Sequence, residues 1–148
     1  MRKTTVVISG GFDPIHVGHV RMLKEAQQMA DRLVVVINND NWLVAKKGFA
    51  FMPEKERVEI IEAMLRPGDF AMLTAHVEND LDRSVCATLR KLHKMYEVDI
   101  FANGGDRLSD NVPEVQVCNE LKIQMVFNVG GGKVQSSSEM VKKAKEKQ

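Results

Sequence analysis

The chain has 148 residues, 44% hydrophobic and 28% charged, with a formal net charge of +1. It is long enough to bury about two-thirds of its unfolded surface as a single domain over residues 1–148, and it carries no charge excess that would recruit nucleic acid. The longest strongly apolar stretch, Leu33 to Ile37, falls far short of the roughly 20 residues that cross a bilayer, and Met1-Arg2-Lys3 leads into a strand without a secretory core, so no membrane partner and a cytoplasmic location are expected.

In chain order, Thr4-Thr5-Val6-Val7-Ile8-Ser9 has the β-branched content of a buried strand over residues 4–9, and helical spacing begins at Val17 and predicts a helix over 17–30. A strand over 32–38 follows, then a helix over 53–65 with Pro53 at its start and Ile60, Ile61, Met64 and Leu65 as its apolar stripe. A strand over 70–75 precedes a helix over 81–95, where Leu81, Val85, Leu89 and Leu92 share a face. Strands over 98–102 and 123–128 bracket a helix over 113–121, and a helix over 137–147 ends in the basic run Lys142 to Gln148, expected to fray. Cys86 and Cys118 fall on expected helices as isolated thiols, which fits reduced core cysteines better than a disulfide or a C-x-x-C metal site. Strands apolar on both faces and separated by helices predict an α/β fold: a Rossmann-like, doubly wound, five-stranded parallel sheet in three α/β/α layers, with ligands at the strand C-terminal ends.

Two segments at that edge carry chemistry. Gly10-Gly11-Phe12-Asp13-Pro14-Ile15-His16-Val17-Gly18-His19 fills a strand-to-helix turn, where glycines let backbone N–H groups approach an anion and the helix N-terminus favours negative charge. His16 and His19, three residues apart, can aim both imidazoles at the same phosphoryl oxygens as hydrogen-bond donors. An H-x-x-H metal pair is the other reading, but no third ligand cluster completes a zinc site. Toward the C-terminus, Ser136 and Glu139 fit a capping box, leaving Ser137 and Ser138 in a first turn whose N–H groups suit phosphate, behind the flexible Gly130-Gly131-Gly132. Gly104-Gly105-Asp106-Arg107 follows a strand end; its glycines can admit a base or ribose and Arg107 can grip phosphate, the bland alternative being a tight turn with a surface arginine. Asp13 and Asp40 reach the same edge, where a carboxylate can hold a substrate hydroxyl or a magnesium-bound water, and Trp42 either walls the substrate pocket or packs. His76 and His93 lack such a setting.

The first of these segments resembles the leading signature of the nucleotidyltransferases with the H-x-G-H motif, and Gln135-Ser136-Ser137-Ser138-Glu139-Met140-Val141 resembles their second signature. Val36-Ile37-Asn38-Asn39-Asp40, Lys46-Lys47-Gly48 and Asn103-Gly104-Gly105-Asp106-Arg107 stand where the heptose-phosphate adenylyltransferase and glycerol-phosphate cytidylyltransferase branches carry comparable segments, so the resemblance spans nearly the whole chain. It implies attack by an acceptor phosphate on the α-phosphorus of a nucleoside triphosphate, with Mg2+ brought by the nucleotide rather than by a fixed protein site. His16 and His19 are then the transition-state donors, Gly10, Gly11, Phe12 and Gly18 with Gly105 and Asp106 hold the nucleotide, and Ser136, Ser137, Ser138, Arg107 and either Lys46 or Lys47, from a mobile loop, hold the leaving pyrophosphate. Gly-Lys-Val-Gln-Ser-Ser-Ser in place of an R-T-E-G-I-S-T run favours ATP over CTP, and the Lys-Lys-Gly and Gly-Gly-Asp segments favour a sugar phosphate as acceptor, with glycerol phosphate and FMN open. A homodimer is implied by the same resemblance; a non-catalytic nucleotide-binding module is the rival class.

Overall fold

A computed structural model describes residues 2–74, 85–104, 114–130 and 137–146. Its elements are β1 (Thr5–Gly10), α1 (Val17–Gln27), β2 (Arg32–Ile37), α2 (Asp40–Lys47), α3 (Glu54–Glu62), β3 (Phe70–Leu73), α4 (Cys86–Tyr96), β4 (Ile100–Gly104), α5 (Glu114–Leu121), β5 (Gln124–Val129) and α6 (Ser137–Glu146). All strand pairs are parallel and the sheet order is β3-β2-β1-β4-β5, so the chain reverses its direction of travel across the sheet between β1 and β4. That reversal opens a crevice beyond the C-terminal end of β1, where ligands of such sheets bind.

The period of two along each strand divides the core. Val6 and Ile8 of β1 with Leu33, Val35 and Ile37 of β2 pack on Met22, Leu23 and Ala26 of α1 and Ile61 of α3. Val7, Val34 and Val36 face the other way, onto Leu89 and Leu92 of α4 and Val117 and Cys118 of α5. Both faces of the sheet are therefore covered, giving the three-layer α/β/α fold expected from the apolar strands. Cys86 on α4 and Cys118 on α5 are not joined in a disulfide; burial, with help from Glu114 and Cys86, pushes the Cys118 thiol up to about 11.

Three expectations change. The stretch after β2 is a helix, α2, which places Lys46 and Lys47 in its last turn instead of on a loop. Asn39 caps it, its Oδ1 accepting from the Trp42 N–H at 2.7 Å, and Gly48 closes it at φ 88°. Only Leu43 of α2 is buried, so no apolar stripe announces the helix. On α3 the buried pair is Arg57 and Ile61, while Ile60 stands 37% exposed and Met64 and Leu65 fall beyond the helix end. The basic C-terminal run stays helical through Glu146, the last described residue, and its Val141 is buried. Leu81 and His76 lie outside the described residues.

Candidate active site

The loop from Gly10 to His19 is fixed by the two histidines themselves. His16 is the N-cap of α1, its Nδ1 accepting from the Gly18 N–H at 3.1 Å, and His19 at the third helical position returns its Nδ1 to the His16 N–H at 3.1 Å. This is a capping box with imidazoles in place of the usual hydroxyl and carboxylate. An imidazole that accepts at Nδ1 carries its proton on Nε2, so both rings are set in one tautomer with an Nε2–H donor. The rings stack with centroids 3.8 Å apart and 26° between planes, and the edge of Phe12 meets His19 at 4.9 Å. A Cβ at Gly18 would stand 2.9 Å from His16 Cε1, so glycine is what leaves the ring in this position.

Behind the loop, Phe12 is buried at φ 52° and the following Asp13–Pro14 peptide is cis. The Asp13 carboxylate is also buried. It accepts from the Phe51 and Met52 N–H groups and pairs with Lys47 Nζ at 3.1 Å, while Lys47 donates to the Asp13 carbonyl as well. Its oxygens are thus engaged by the chain, and Asp13 joins the loop before α3 to the histidine loop. Asp40 begins α2 and accepts from Arg57 Nη2 at 2.6 Å. Lys46 lies over the Trp42 ring at 4.7 Å, and Trp42 Nε1 is buried without a hydrogen-bond partner among the described residues.

Of the residues marked in the sequence, the structure brings Gly10, Gly11, Phe12, Asp13, His16, Gly18, His19 and Lys47 to one place beyond β1 and sets Asp40, Trp42 and Lys46 along the adjoining α2. Gly105, Asp106, Arg107 and Ser136 lie outside the described residues; Ser137 and Ser138 open α6. No group of three His, Cys, Asp or Glu side chains among the described residues could hold a metal ion, and no described helix is long and apolar enough to cross a membrane. Sequence reasoning missed Arg57, Asn38 and Asn103. The two asparagines end β2 and β4 on either side of β1, and each has a buried amide atom, Asn38 Oδ1 and Asn103 Nδ2, without a partner among the described residues. Their signal was a polar residue at the C-terminal end of a buried strand, Asn38 directly after β2 and Asn103 within the last residues of β4. That of Arg57 was a charge four residues before the buried Ile61, in the phase of the apolar stripe.

Beside Lys47, a cavity of about 230 Å³ is lined by Phe49, Val141, Lys142 and Lys145, so α6 meets the end of α2. Directly after β5, the Gly130 N–H donates to Glu25 of α1 at 2.5 Å.

Residues 7–144 match the family model described as cytidylyltransferase-like. The chain is 33% identical over 122 residues to the FAD synthase of Pyrococcus horikoshii, covering 82% of this chain and 71% of that protein. It is 31% identical over 127 residues to the bifunctional protein HldE of Desulfatibacillum aliphaticivorans, covering 84% of this chain but 24% of the longer relative. Among solved structures it superposes on a lipopolysaccharide core biosynthesis protein of Thermoplasma volcanium with a TM-score of 0.63 and 25% identity, covering 84% and 95% of the two chains. The chain belongs to the cytidylyltransferase-like family of nucleotidyltransferases.

Proposed function

We propose that this enzyme transfers AMP from ATP to the phosphate of a small-molecule acceptor and releases pyrophosphate, and that FMN is the acceptor. The observation that carries the transfer is the histidine pair, whose Nδ1 atoms are tied to the backbone so that both Nε2–H groups are set at the helix mouth. Charge builds on the α-phosphoryl oxygens during transfer, and donors already in place need no reorganisation to meet it. The acceptor phosphate is itself the nucleophile, so no covalent enzyme intermediate enters. Backbone N–H groups of Gly11 and Phe12 cradle the α-phosphate; Lys47, Arg107, Ser137 and Ser138 take the pyrophosphate, and the magnesium arrives as the salt of ATP.

The identity to a FAD synthase over most of both chains supports FMN ahead of the sugar phosphate that the Lys-Lys-Gly and Gly-Gly-Asp segments suggest, since adding AMP to the FMN phosphate makes FAD. Asp13 acts by holding Lys47 and the loop before α3, and acceptor binding passes to Asp40 and Trp42. The test is pyrophosphate release from ATP or CTP with FMN, heptose 1-phosphate or glycerol 3-phosphate, with His16→Ala as control. Release from ATP with FMN, lost in the variant, is expected. Release with a sugar phosphate alone would move the acceptor, and tight ATP binding with no release from any pair would leave a non-catalytic binding module.

A further inference from the structure

We propose that Arg57 is a positioning residue for the transfer step: through the Gly11 carbonyl it aims the Phe12 N–H at the α-phosphate. The inference rests on the nucleotidyl transfer proposed above. The Arg57 side chain is fully buried on α3, and each face of its fork is occupied. Nε donates to the Met52 carbonyl at 2.9 Å, Nη1 to the Gly11 carbonyl at 2.8 Å and the Asn38 carbonyl at 2.6 Å, and Nη2 to Asp40 Oδ1 at 2.6 Å. One planar group thus joins the histidine loop, the end of β2, the start of α2 and the loop before α3.

The Gly11–Phe12 peptide is trans, so its carbonyl and N–H point in opposite directions. With the carbonyl drawn inward to a buried guanidinium, the Phe12 N–H faces outward, toward the crevice beyond β1. Phe12 holds φ 52°, a conformation that a residue with a Cβ keeps only when its surroundings impose it. Arg57 on one side, and the packing of the Phe12 ring against His19 on the other, impose it here. The same clamp reaches Lys47, because Met52 accepts from Arg57 at its carbonyl and donates to Asp13, which pairs with Lys47. A lysine cannot substitute: its three donors leave one point, whereas these four acceptors are met in one plane from three nitrogens.

The experiment follows the backbone amide of Phe12 by 15N NMR while α,β-methylene-ATP with magnesium is added to wild type and to Arg57→Lys, alongside steady-state kinetics with ATP and the acceptor. In wild type the Phe12 amide is expected to shift strongly downfield on binding. In Arg57→Lys the analogue still binds but the shift is lost, and kcat falls about 100-fold, the scale of a 1 Å misplacement. A Phe12 amide that moves equally in both proteins, or fails to move in wild type while the analogue binds, overturns the proposal and leaves nucleotide binding intact. Absence of any binding to wild type overturns the nucleotide reading and this inference with it. Should Arg57→Lys fail to fold, the wild-type titration alone still decides whether the Phe12 N–H meets the phosphate.

Discussion

Gly18→Ala is expected to separate catalysis from stability. The added Cβ would lie 2.9 Å from His16 Cε1 and 3.1 Å from its Nδ1. Ordinary carbon contacts begin at about 3.5 Å, so the imidazole must withdraw by more than about 0.5 Å. It cannot slide freely, because it stacks on His19 at 3.8 Å and His19 meets the edge of Phe12. Withdrawal weakens the Gly18 N–H to His16 Nδ1 cap, worth about 1 kcal/mol, while alanine regains up to about 1 kcal/mol of helix preference over glycine. The net change in stability is within about 1 kcal/mol, or about 4 °C in Tm for a chain of this size. Activity follows the position of the donor instead, and losing one pre-set donor to a developing oxyanion lowers kcat by about 100-fold or more. Pyrophosphate release and a thermal melt on the same sample read the two quantities. Wild-type kcat in a normally folded Gly18→Ala would refute the claim that the cap sets the catalytic ring; a large fall in Tm would show that the turn has no room to relax.

His19→Ala removes a donor together with the acceptor for the His16 N–H, so kcat should fall by about 100-fold or more and stability by about 1 kcal/mol, read by pyrophosphate release and urea melts. Asp13→Asn loses the Lys47 ion pair and turns an amide N–H toward a backbone donor; a stability loss of about 1–3 kcal/mol is expected, with faster proteolytic cleavage between residues 47 and 53. Asp69 is desolvated by burial, which alone would raise its pKa, but bonds from Arg66 and from the Leu33 and Arg66 N–H groups outweigh this and hold it below the ordinary carboxylate value. A depressed folded value contributes stability above the unfolded pKa near 4 that is lost as pH falls through the folded one, so the Tm gap between wild type and Asp69→Asn should be full at neutral pH and close in acid. With its thiol near 11, Cys118 should resist iodoacetamide at pH 8 in the native protein and react once it is unfolded.

The fold was legible because its strands are apolar on both faces, and a run such as Leu33-Val34-Val35-Val36-Ile37 has few other uses. What hid from the sequence was whatever departs from a single buried stripe. Helix α2 buries only Leu43, so its eight residues have no periodicity to read, and its evidence is local chemistry: Asn39 at one end, Gly48 at the other. Arg57 was passed over because a charge inside α3 reads as a solvated face, yet its phase with Ile61 puts it among carbonyls that end strands and begin helices. A buried arginine in that position answers the unpaired carbonyls where strands end and loops turn, a need that pattern reading along one helix does not reveal.

The histidine motif carries a further lesson in its spacing. The N-cap and the third helical position are the two residues whose side chains can reciprocally satisfy the free N–H groups of a helix start. His16 and His19 occupy those positions, so the separation that would bring them to one phosphate in the proposed transfer is the separation the helix requires. Between them, Val17 is 46% exposed and free to vary, whereas Gly18 lies under the His16 ring and is not. The pattern H-x-G-H can therefore be derived from capping geometry: one residue outward, one without a Cβ, and two rings whose bonds to the backbone leave each with its proton at Nε2. In the proposed transfer the donors are rigid because they are also what starts the helix, and a change that spares the helix start but moves a ring is the change that separates the two roles.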